Sequence, residues 1–257
     1  MNKDVVRQWA NMLAVIATII INGLANALPL NGQGTGEISD RFKVFFVPAG
    51  YVFSIWGLIY LGLLAFAIYQ ALPAQRENPR LRSVGYWFVL SCVANITWLF
   101  LWHYNQFLLT MFAMLALLAC LIITYERLGV GRLKVSAAER WAVQVPFSIY
   151  LGWVSVATIA NATDVLYDLG WTGNPLSAEV WAVIMLAVAL VVGALMAWRR
   201  GDAVYLLVFV WAFAGIANKQ AATPLVANAA WVATVAAAAL ALLAVWRLPK
   251  VRQATTT

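Results

Sequence analysis

Long stretches without a single Asp, Glu, Lys or Arg dominate this chain. They run over 8–36, 44–75, 83–125, 141–163, 180–198, 203–218 and 220–246. An α-helix rises about 1.5 Å per residue, so about 20 residues cross a hydrocarbon core of about 30 Å. The run 83–125 is too long for one crossing, and it breaks at His103-Tyr104-Asn105-Gln106. The pattern therefore predicts an all-α integral membrane protein with eight spans, near 9–29, 49–73, 84–104, 106–125, 141–163, 180–198, 203–219 and 224–246.

Charge sorting orients that arrangement. Threading the spans back and forth puts the amino terminus, the loops near 76–82, 126–140 and 199–202, and the tail on one side. All of the 17 Lys and Arg residues lie there except Arg41, Lys43 and Lys219. Short cytoplasmic loops carry an excess of Lys and Arg, so both termini are expected in the cytoplasm, in an inner membrane of bacterial type. The composition agrees: 64% hydrophobic residues and only 11% charged, with a mean hydropathy of +0.82. The net charge of +7 sits in these short loops, where it meets anionic headgroups, and not nucleic acid. Lys3 and Arg7, an apolar run and Ala25-Asn26-Ala27 have the outline of a secretory signal. The run is of span length, however, which favours a retained first helix.

Lipid offers no hydrogen bonds, so polar side chains in a span face other helices or a cavity. Trp56 and Tyr60 are four apart on the second helix, and Asn95 and Trp98 three apart on the third. Trp153, Ala157 and Asn161 form an i, i+4, i+8 stripe on the fifth. The alternating helix directions let these sets converge in the outer half, beneath a Gly-rich outer loop 30–48 that leads to Pro48. Aromatic walls with a few amides suit a flat, largely apolar ligand. Interhelical glue, worth on the order of 1 kcal/mol, is the other reading of each Asn.

The remaining features carry less chemistry. Trp9, Trp102, Trp141, Trp181, Trp198 and Trp246 read as interfacial anchors. Ala189-x-x-x-Gly193 reads as a tight helix-packing face. Cys92 and Cys120 fall in spans as packing residues, neither a disulfide nor a metal pair. The predicted spans hold almost no ionisable groups. The single His, His103, falls in a turn at the interface, without a partner near in sequence. No catalytic residue and no metal site is expected, which favours binding over catalysis.

Three motifs at these positions resemble the TspO/MBR family, the tryptophan-rich sensory or translocator proteins. Pro48-Ala49-Gly50-Tyr51-Val52-Phe53-Ser54-Ile55-Trp56, followed by Tyr60, is similar to that family's P-P-G-W-V-F-G-P-V-W-x-x-x-Y. Asn95-Ile96-Thr97-Trp98 is similar to N-W-x-W. Tyr150-Leu151-Gly152-Trp153, then Ala157-Thr158 and Asn161, matches Y-L-x-W-x-x-x-A-T-x-x-N over twelve positions. The chain departs from the family in a helix-two motif one residue short, with Ser54 in place of Gly-Pro, in Ile96 for a Trp, and in Gln106 and Thr110 for a Trp and an Asp.

The resemblance implies a TspO-like five-helix bundle over 1–165, with 166–257 an appended three-helix segment and short basic tail. It also implies a pocket for a flat hydrophobic molecule, such as protoporphyrin or haem, or a sterol. By position, Trp56, Tyr60, Asn95, Trp98, Trp153, Ala157 and Asn161 would bind it. No cofactor is required, and a porphyrin or haem would enter as ligand. The expected partners are that small molecule, the bilayer and, in a homo-oligomer, further copies of the chain. A receptor or sensor is the leading expectation. A facilitated transporter or a pigment-modifying enzyme is the alternative.

Overall fold

The structure, a computed structural model, describes residues 3–28 and 30–246 and the backbone of 252–253. The side chains of Arg247, Lys250 and Arg252, assigned above to the basic tail, lie outside the described residues. The helices are α1 (Lys3–Ala27), α2 (Thr35–Asp40), α3 (Ile55–Ala71), α4 (Pro79–Val84), α5 (Trp87–His103), α6 (Phe107–Leu128), the single turn α7 (Ala137–Glu139), α8 (Val145–Asp168), α9 (Ala178–Arg200), α10 (Ala203–Lys219) and α11 (Pro224–Trp246). Among the described residues, six helical stretches are long and apolar enough to cross a membrane: α1, Gly50–Ala71, α6, Ala137–Asp168, α9 and α11. Two shorter apolar helices, α5 and α10, lie among them. Large apolar side chains also cover the outside, with Leu61, Phe112, Val232 and Leu242 each more than 60% exposed. Such a surface is stable in lipid and not in water. The protein is an all-α integral membrane protein.

Local chemistry sets the helix ends. The break between α5 and α6 falls at Tyr104-Asn105-Gln106, where Asn105 adopts a positive φ of 58°. Asn is one of the few side chains that enters this region readily. A 3-10 segment, Gly50–Ser54, leads into α3, so the regular helix begins later than the expected position 49. A π-helical turn, Arg140–Gln144, precedes α8 and its Pro146. Pro146 lies inside the continuous helical stretch Ala137–Asp168 and has no N–H to donate, and the π-turn sits where the regular ladder is interrupted. Gly62 of α3 lies against this proline, and a Cβ there would come within 2.9 Å of Pro146. Only glycine lets the two helices cross so closely. α8 ends at Asp168, five residues beyond the expected end at 163.

The two ends of the bundle differ in chemistry. At one, Arg7 donates to the Arg76 carbonyl (3.1 Å), and Arg82 pairs with Asp4. Arg80 makes two 2.6 Å bonds to Glu139, which raise its guanidinium above the usual range against the opposing effect of burial. Arg127 donates to the Ser83 carbonyl, and Arg200 pairs with Glu126. At the other end, Lys219 pairs with Asp40, Arg41 donates to Asn105, and Gln220 donates to the Phe45 carbonyl. The loops near 76–82, 126–140 and 199–202 thus meet at the amino-terminal end of α1.

The last three helices share one continuous core with the first part of the chain. A Cβ on Gly152 of α8 would lie 3.1 Å from the Tyr205 carbonyl of α10, and one on Gly193 of α9 would lie 3.1 Å from Leu206. Ala189, one turn before Gly193, is fully buried. The small-residue face therefore seats α9 on α10. Asp202 caps α10 and accepts hydrogen bonds from Tyr125 (2.8 Å) and Ser148 (2.6 Å), tying it to α6 and α8.

Candidate ligand pocket

α8 supplies one wall of a cavity of about 70 Å³. Trp153, Ala157, Asn161 and Asp164 line it, at spacings of four, four and three that keep them on one helix face. Trp56 and Phe53 enter from the start of α3, and Trp98 and Trp102 from α5. Thr35 and Ser39 of α2, with Val47 and Pro48, close it as a roof. Five aromatic rings and two polar side chains of α8 thus surround one space.

The rings pack on one another. Trp98 and Trp102 stack at 5.4 Å with an 18° tilt, whereas Trp153 meets Trp56 and Phe53 edge-on at 6.3 and 5.7 Å. Both arrangements suit the ring quadrupoles. Asn161 fixes Trp98: the indole Nε1 donates to its Oδ1 at 2.8 Å, and its Nδ2 donates to Thr110 at 3.0 Å. Two polar atoms of the lining residues are buried without partners, Trp153 Nε1 and Asp164 Oδ1.

Of the seven residues expected to bind, Trp56, Trp98, Trp153, Ala157 and Asn161 line the cavity, and two do not. Asn95 faces α1 and α8, accepting from Asn22 Nδ2 at 2.9 Å and donating to the Tyr150 hydroxyl at 3.2 Å. It is a buried interhelical tie. Tyr60 stacks behind Trp56 at 5.6 Å and stays outside the lining. It backs a wall without forming one.

Three further expectations need correction. Trp102 is not an interfacial anchor: it is 3% exposed, forms a pocket wall and donates to the Thr35 carbonyl at 3.2 Å. Trp181 is also turned inward, donating to the Gly173 carbonyl and meeting Trp171 edge-on. Trp9, Trp141, Trp198 and Trp246, by contrast, are exposed. His103 is the fully buried last residue of α5, not a residue of an interfacial turn. Its Nδ1 lies 2.8 Å from the Leu99 carbonyl, so that nitrogen bears the proton and Nε2 accepts from the Thr35 hydroxyl at 3.3 Å. The Nδ1 contact lies within α5, and the Nε2 contact ties the ring to Thr35 of the roof.

Sequence reasoning missed Asp164. The expected fifth span ends at Thr163, the last residue before a charge, which puts the carboxylate in the following loop. The helix continues, and Asp164 is 4% exposed. Its spacing of eleven residues from Trp153 and three from Asn161 was the available signal, since both return to the same helix face.

The family model described as TSPO-like protein matches residues 8–246. No curated protein and no solved structure matches the chain significantly. The matched range runs through the pocket and on through α9, α10 and α11. With nearly all of its length inside that match, the chain belongs to the TSPO-like family.

Proposed function

We propose that this protein is a membrane receptor for a flat hydrophobic molecule, held between the tryptophans of α3, α5 and α8. The observation that carries this reading is the convergence of Trp56, Trp98, Trp102 and Trp153 on one cavity. Tetrapyrroles such as protoporphyrin or haem, and sterol-like molecules, are the ligand classes that family membership brings forward. Ligand pockets usually measure about 300–1,000 Å³, so the 70 Å³ cavity corresponds to a closed form. Binding then requires the roof of α2 and 41–48 to lift.

The same reading sets the architecture. The chain crosses the membrane eight times, with α5 and α10 as the short spans and both termini on the basic, cytoplasmic side of a bacterial-type inner membrane. The segment 1–165 holds the pocket, and the appended helices α9, α10 and α11 buttress it. α10 supports that role directly: Ala49 donates to the Gly215 carbonyl at 3.1 Å, and Trp211 donates to the Val52 carbonyl at 3.0 Å.

Mass spectrometry of small molecules extracted with the detergent-purified protein tests the ligand class. A co-purifying flat polycycle, with quenching of tryptophan emission when it is added back, is the expected result. Phospholipid alone, with no quenching by protoporphyrin, haem or a sterol, would overturn the proposal.

A further inference from the structure

The aromatic cavity contains one carboxylate. Asp164 sits on the pocket face of α8, one turn beyond Asn161, and its side chain is almost fully buried. Its Oδ1 has no hydrogen-bond partner. Two neighbouring polar side chains are committed elsewhere: Asn161 to Trp98 and Thr110, and the Thr35 hydroxyl to His103. Lys219, at the end of α10, has its ammonium on Asp40 at 2.9 Å. A buried acceptor without a partner costs free energy that a structural role would not tolerate without compensation.

We propose that Asp164 is the polar anchor of the ligand site, and that the pocket selects a flat aromatic molecule carrying a protonated amine or ring N–H. This rests on the reading of the cavity as a ligand site and narrows its ligand class. The chemistry is complementary on both sides. Tryptophan faces attract cations through the ring quadrupole, more strongly when water is excluded. A carboxylate accepts charge-assisted hydrogen bonds from N–H groups. A ligand carboxylate placed at this depth would instead face Asp164 directly, so an acidic polycycle must turn its acid groups away from Asp164. Trp153 Nε1, the other unpartnered atom, is a donor and gives ligand acceptors their own place.

Three probes of equal ring size separate the terms: an aminoacridine cation, a neutral anthracene methanol and an anthracene carboxylate. Quenching of tryptophan emission by each is titrated in a non-ionic detergent, in the unmodified protein, Asp164→Asn and Trp98→Ala. The unmodified protein should bind the cation at least tenfold more tightly than the neutral probe, and the anion most weakly. In D164N, a near-isosteric change, the cation-to-neutral affinity ratio should fall at least tenfold. In Trp98→Ala all three affinities should fall. Thermal unfolding of each variant confirms that it is folded. If the cation and neutral probe bind equally, or their ratio survives in D164N, the carboxylate inference is wrong and the pocket reading stands. If no probe binds, or Trp98→Ala changes nothing, both fail.

Discussion

At the scale of single residues, the tryptophans line the cavity and the asparagines tie helices and rings together. Trp98 and Trp153 present large ring faces to the cavity. Truncating such an anchor costs at least about 2 kcal/mol, or roughly thirtyfold in affinity. Trp98→Ala and Trp153→Ala should each show that loss for protoporphyrin or another bound polycycle, read by emission quenching. Trp181→Ala, whose ring packs on Trp171 away from this cavity, should bind as the unmodified protein does. Asn95→Leu should behave differently from all three. It removes the partner of Asn22 and Tyr150 inside the bundle, which costs about 1–3 kcal/mol. A lower unfolding temperature with nearly intact affinity is the expected outcome, and an affinity loss without destabilisation would return Asn95 to the ligand. The aromatic and amide stripe was legible in the sequence because helical spacing places it on one face. Asn95 was misread because its partner Asn22 lies on α1, and no spacing within one helix reveals a partner on another.

At the scale of elements, the proposed binding requires the roof to move. α2 is a six-residue helix tied down by a few polar contacts. His103 and the Trp102 indole hold Thr35, Asn105 holds Arg41, and Lys219 holds Asp40. His103→Ala removes one of these ties from outside the cavity lining. Losing one hydrogen bond of about 1 kcal/mol changes an opening equilibrium roughly fivefold. Stopped-flow association of a quenching ligand should therefore speed up about fivefold in this variant. An unchanged rate would mean that α2 does not gate access. The segment leading from the roof into α3 packs closely on α10, where a Cβ on Gly215 would lie 2.2 Å from Val52 Cγ2. The long apolar runs made the major helices legible. α2, the 3-10 approach to α3 and the π-turn before Pro146 were not, because each depends on tertiary contacts that override weak local preference.

At the scale of the whole molecule, charge and packing point to the same threading. A Lys or Arg at the centre of a span costs about 2.5–3.5 kcal/mol, so the chain places its basic residues where ion pairs and headgroups can receive them. Arg7, Arg76, Arg82 and Asp4 gather around the start of α1. Arg80–Glu139 and Arg200–Glu126 gather at the same end. The segment between α8 and α9 lies at the opposite end, where Phe42 meets Tyr167 at 6.0 Å. A reporter inserted at Thr172 should therefore read as outside, and one fused after Thr257 as cytoplasmic. The family match spans 8–246 without a break, and α10 packs directly on α8, so both reporters probe a single body. Fluorescent protein folds only on the cytoplasmic side and alkaline phosphatase only outside, so each position should light with one reporter and stay dark with the other. A like signal at Thr172 and Thr257 would require an even number of crossings between them. The three helices α9, α10 and α11 would then include one that does not cross, and the short α10, tied to the roof by Gly215 and Trp211, would be the helix to re-examine.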